Sequence, residues 1–74
     1  MIRWHKVGPS EYAGDVDGTE VARVALTGRR GVDHYPWDWY FTDAGEARRR
    51  PGARTSGVTD TLRSAKEQVA YLLA

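Results

Sequence analysis

The sequence predicts an α+β domain, a three-stranded antiparallel meander with one C-terminal helix packed on one face. Three features predict it. Residues 35–42 read YPWDWYFT, and Trp37, Trp39 and Phe41 recur at a period of two, the pattern of a strand with one buried face. Asp17-Gly18 tolerates the left-handed backbone that a tight hairpin needs, and extended segments flank it. Leu62, Ala65, Val69, Leu72 and Leu73 fall at spacings of three, four, three and one, which places them on one helical face.

Taken in order, Ile2, Trp4 and Lys6 alternate with Arg3, His5 and Val7 in a first short strand that stops or bends at Gly8-Pro9. Glu11 to Val16 is extended. It either continues that strand after a bend or bulge, or forms a second short one. Beyond the Asp17-Gly18 turn, Thr19 to Thr27 reads TEVARVALT, with Val24 and Leu26 directed inward and Arg23 outward. Alanine and leucine also suit a helix there, but the turn and the valines favour a strand. Gly28-Arg29-Arg30-Gly31 begins a loop. Pro36 lacks a ladder donor, so it argues against a central position for the start of the aromatic strand, which runs from Trp37 to Thr42.

Residues 43–57, DAGEARRRPGARTSG, hold three glycines, one proline and no apolar side chain larger than alanine. This stretch reads as a mobile basic loop, with room for one helical turn at Ala44–Arg49. Val58 begins a last extended piece. Thr61 reads as the N-cap of a helix from Leu62 to about Leu73, with Thr59 or Asp60 as alternative caps; it is about 18 Å long, matching a strand of typical length. Tyr71 or Leu73 is then either apolar surface left over for self-association or a partner, or part of a frayed end. The whole chain, 1–74, forms a single β-β-β-α domain.

Composition narrows the function classes. The chain has no cysteine, which excludes disulfides and thiolate metal sites, and His5 and His34 stand far apart. No cofactor motif is present, and Gly28-x-x-Gly31 is too short for a phosphate loop. The longest apolar cluster, VAYLLA, falls far short of the roughly 20 residues of a membrane span. A soluble, cytoplasmic protein with no membrane partner is expected. His34 and Asp38 are the nearest approach to a catalytic pair, but a one-helix sheet offers little pocket depth, and the chain reads as non-enzymatic.

Net charge is +1 but bipolar. Residues 1–47 carry five basic and eight acidic side chains, and residues 48–74 carry six and two. Two binding surfaces follow. For a protein partner the candidates are Trp4, Tyr12, Arg23, Tyr35, Asp38 and Tyr40, because three tryptophans and four tyrosines exceed what so small a core can bury. For nucleic acid they are Arg23, Arg29, Arg30, Arg48, Arg49, Arg50 and Arg54, with arginines following phosphates and Tyr40 on the helix-free sheet face stacking on bases. The low net charge favours a protein partner or self-association.

The stretches WYFT at 39–42 and TLRSAK at 61–66 resemble small uncharacterised proteins of actinobacteria and their phages. The resemblance implies the β-β-β-α outline and a phage or regulatory accessory role, and carries no assigned functional residues. In those proteins the aromatic strand runs almost directly into the helix; here the arginine-rich segment intervenes. The outline is also similar in topology to the arm-type DNA-binding domain of tyrosine recombinases and the plant AP2 domain, which read DNA with the exposed sheet face.

Overall fold

The computed structural model describes residues 1–74. Its centre is an antiparallel sheet in simple sequential order: β1 (Arg3–Gly8), β2 (Glu11–Val16), β3 (Thr19–Leu26), β4 (Trp37–Phe41) and β5 (Ser56–Thr59). A short helix α1 (Asp43–Arg48) joins β4 to β5, and α2 (Leu62–Leu72) closes the chain. The expected three-stranded meander with a single helix is therefore wrong: the sheet has five strands and there are two helices.

Each addition has a physical cause. Pro9 ends β1, and the chain doubles back so that Arg3 pairs with Asp15 and His5 with Ala13, giving two strands from the first sixteen residues. α1 forms within the arginine-rich connection because Thr42 caps it, accepting from the Gly45 N–H at 3.2 Å. The extended piece expected from Val58 is β5; it begins two residues earlier and joins the sheet, which its four residues, SGVT, with almost no apolar alternation, do not announce. It pairs along β4, and Gly57 lies opposite Trp39. An ideal Cβ on Gly57 would come 2.7–2.9 Å from the Trp39 indole, so the indole occupies the space above that glycine.

β4 is thus an interior strand despite Pro36, contrary to the sequence expectation. Pro36 stands just outside the ladder, and its carbonyl accepts from the Thr27 and Gly28 N–H groups, both at 2.9 Å. The hairpin at Asp17-Gly18 forms as read, with φ of 52° and 81° at the two residues.

The core lies between α2 and the sheet. Val21, Ala22, Val24, Trp37, Trp39, Phe41, Ala65 and Val69 are all buried. Val21 and Ala22 are neighbours on β3, yet both are in this cluster. A bulge explains it: Gly14 pairs with Ala22 but Asp15 pairs with Glu20, so Val21 is the extra residue. Trp39 Nε1 donates to Gln68 Oε1 at 2.9 Å, which satisfies the one polar atom of that buried ring. Thr61 caps α2 by accepting from the Ser64 N–H at 3.0 Å.

The backbone of α2 lies over β3, β4 and β5, and β1 and β2 are met only by side chains such as Lys66. The two halves of the helix-bearing face therefore differ in how far they are covered.

Candidate interaction surfaces

The register sorts side chains onto two faces. On the helix-free face, His5, Ala13, Arg23, Tyr40 and Ser56 form one row across the strands, and Glu11, Ala25, Asp38 and Val58 form another. Arg3, Asp15 and Glu20 form a third. The charged groups are two guanidiniums against four carboxylates. Arg23 is clasped: Nε and Nη2 reach Glu20 at 2.9 and 3.1 Å, and Nη1 reaches Glu11 at 3.0 Å. Hydrogen bonds donated to Glu20, then to Glu11, hold its guanidinium even more firmly protonated than an ordinary arginine. His5 Nδ1 lies 3.8 Å from Asp15. The face is mildly acidic, and its one well-placed arginine is already neutralised.

The helix-bearing face is different. Beyond α2, the inner sides of β1 and β2 present Ile2, Trp4, Tyr12 and Val16, all half-buried. Trp4 pairs with Gly14, and its ring lies over that glycine, where an ideal Cβ would come 2.9 Å from it. Between this strip and the flank of α2 runs an open groove of about 600 Å³. Met1, Ile2, Trp4 and Val16 form one wall, Ala70, Leu73 and Ala74 the other, and Arg48 is the only polar side chain lining it. Lys66 leans out from α2 with Nζ 5.8 Å from the Trp4 ring centre and 5.1 Å from that of Tyr12.

The six residues read as protein-binding therefore do not form one patch. Trp4 and Tyr12 belong to the groove side; Arg23, Asp38 and Tyr40 lie on the opposite face; Tyr35 is exposed in the β3–β4 loop, its ring 6.4 Å from His34.

Nor do the seven arginines gather. Arg29 and Arg30 stand in the β3–β4 loop, where the Arg29 N–H donates to Asp33 and the Arg30 guanidinium lies 5.6 Å from the Trp37 ring centre. At the other end of the strands, Arg48, Arg49 and Arg50 meet the end of α2. The Arg50 N–H donates to the Leu72 carbonyl and the Ala74 N–H to that of Arg48, each at 2.8 Å. Arg49 Nη1 donates to the Ala53 carbonyl at 3.0 Å, while its buried Nε has no partner. Arg50 lies over Tyr71 at 5.2 Å. Arg54 lies over Trp39 at 5.8 Å and donates to Gln68 Oε1 at 3.2 Å. The length of α2, about 16 Å, separates the Arg29–Arg30 end from the Arg48–Arg50 end.

Sequence reasoning missed the groove, although it noted the alternation of Ile2 with Trp4 and the surplus of Leu73. The missing link was the pairing of β1 with β2, which brings Val16 beside Ile2. No helix is long and apolar enough to cross a membrane, and no group of three or more His, Cys, Asp or Glu side chains is placed to hold a metal ion. Comparison with protein-family models, with curated proteins and with solved structures gives no match.

Proposed function

We propose that this chain is a small non-enzymatic protein-interaction module that acts by occupying a partner's surface. The observation that carries this reading is the half-covered apolar part of the helix-bearing face, where Ile2, Trp4 and Val16 line a groove beside Ala70 and Leu73. Aromatic and aliphatic side chains rimmed by charge are what protein interfaces use as anchors.

The arginines support the same choice. Nucleic-acid binding through the sheet face needs a free cationic surface, whereas that face carries two guanidiniums against four carboxylates. The remaining arginines are divided between opposite ends of the sheet. A phage or regulatory accessory role rests on the resemblance of residues 39–42 and 61–66 alone.

The test is affinity capture from cell lysate with and without nuclease, repeated with Ala70→Arg, a change at an exposed groove position outside the core. Partners should survive nuclease and be lost with the variant. Disappearance of every captured partner on nuclease treatment overturns the reading in favour of nucleic acid.

A further inference from the structure

Resting on that reading, we infer that the groove is the seat of one amphipathic helix from a partner protein, with carboxylates about two turns apart along one flank. The sheet is wide enough for two helices. Five strands at about 4.8 Å spacing make the sheet about 19 Å across, whereas a helix with its side chains covers about 10 Å. α2 lies over β3, β4 and β5, so the strip left above β1 and β2 has the width of one more helix. Ile2, Trp4 and Val16 line it on the sheet side, and Ala70 is the small side chain on α2 that permits close approach.

The charge around the groove is cationic. Arg48 is the only polar side chain lining the groove, and Lys66 overhangs Trp4 and Tyr12. Neither cation has a carboxylate within ion-pairing distance. Leu73, the C-cap of α2 that lines the groove with Arg48, follows Lys66 by seven residues, about 10 Å at helical rise. A docked helix with Asp or Glu at positions i and i+7 would meet both cations while its apolar stripe fills the groove. A second copy of this chain is the poorer occupant. The exposed side of α2 pairs Arg63 with Glu67 at 3.4 Å and so offers no acidic flank, and α1 has only six residues.

The test displays a library of four-turn helices with a fixed Leu/Ile stripe and flank positions randomised among Glu, Gln and Lys. It is selected against the full chain, with Ala70→Arg as the counter-target. Glu should be enriched at flank positions seven apart. Selected peptides should lose on the order of tenfold in affinity against Lys66→Glu/Arg48→Glu, as expected for two reversed charge contacts. Enrichment of Lys or Gln, with Ala70→Arg still abolishing binding, overturns the acidic partner and leaves the interaction reading standing. Peptides that bind wild type and Ala70→Arg equally overturn the groove as the seat. Sedimentation of the wild type as a dimer, reverting to monomer in Ala70→Arg, assigns the groove to a second copy and overturns the inference.

Discussion

Arg23 clasps Glu20 through two of its nitrogens, at 2.9 and 3.1 Å, although the residues are three apart on one strand. In a regular strand, residues an odd number apart point to opposite faces. The bulge at Val21 removes that conflict. One extra residue between Glu20 and Ala22 lets Val21 and Ala22 both enter the core and brings Glu20 back to the face that Arg23 occupies. The ion pair and the bulge are thus one feature, and Glu11, one strand over, completes it at 3.0 Å.

Replacing Arg23 with methionine leaves Glu11 and Glu20 facing each other without a cation, and stability should fall by about 1–2 kcal/mol. A double-mutant cycle with Glu20→Gln, read by urea unfolding, should give a coupling of about 0.5–1 kcal/mol, more than a fully exposed pair because the clasp is two-pronged and only partly solvated. The arginine's raised pKa adds no pH dependence of its own in ordinary buffers. A cation stabilised in the fold loses that stabilisation only as pH climbs through its folded pKa, which here is strongly alkaline. A coupling indistinguishable from zero would show that the bulge is held by Val21 packing alone.

Gly45 presents the reverse of the usual helix rule. Alanine normally stabilises a helix interior over glycine by roughly 0.5–1 kcal/mol. Here α1 rests directly on the bulge. The Thr42 N–H donates to the Val21 carbonyl at 3.0 Å, the Thr42 hydroxyl donates to the Glu20 carbonyl at 2.7 Å, and a Cβ on Gly45 would collide with the Val21 carbonyl oxygen. Backbone cannot swing aside as a side chain can. Gly45→Ala should therefore lower stability by about 1–3 kcal/mol in thermal or urea unfolding, and a gain would mean that α1 can lift off the bulge.

The legible part of this fold was local. Trp37, Trp39 and Phe41 announce a strand, Asp17-Gly18 a hairpin and Thr61 a cap, because each is decided by residues adjacent in sequence. What stayed hidden depends on the neighbour across the sheet. The bulge at Val21 is visible only once β2 is aligned, and β5 is a strand because Gly57 makes room for Trp39, not because SGVT prefers extension. The groove joins residue 2 to residues 16 and 73, a proximity that no window along the chain contains. The basic run from Arg48 to Arg54 reads as one solvated stretch, yet its members are divided between pairing with the end of α2 and stacking on Tyr71 and Trp39.

Two strand glycines lie under tryptophans and should nonetheless respond differently to alanine. Gly57 sits beneath Trp39, which is 1% exposed and tied to Gln68, so the ring has nowhere to move. Gly57→Ala should cost about 1–3 kcal/mol. Gly14 lies beneath Trp4 and Ile2, both half-buried beside the open groove, and these side chains can shift into that space. Gly14→Ala should cost less than about 1 kcal/mol, and the lower entropy of the unfolded chain offsets part of it. Parallel urea titrations of the two variants decide the point: equal losses would mean that Trp4 is held as rigidly as Trp39.

The connection from α1 to β5 should divide sharply in amide exchange. Arg50 and Ala74 are bound to the partner segment by backbone bonds of 2.8 Å, and Arg49 forms an isolated bridge with Leu73. Gly52, with φ of 78°, stands at the tip of the turn that follows. Hydrogen exchange followed by NMR should find the Arg50 and Ala74 amides protected to a similar degree, since each bond depends on the same pairing, while Gly52 and Arg54 exchange at rates near those of an open chain. Leu73→Pro removes the Leu73 N–H, which caps α2 by donating to the Val69 carbonyl at 3.2 Å, and disfavours the helical conformation of Leu72. It should release both protected amides together. Uniformly fast exchange from Arg49 to Thr55 in the wild type would instead return the whole segment to a mobile loop and remove Arg48 as a fixed wall of the groove.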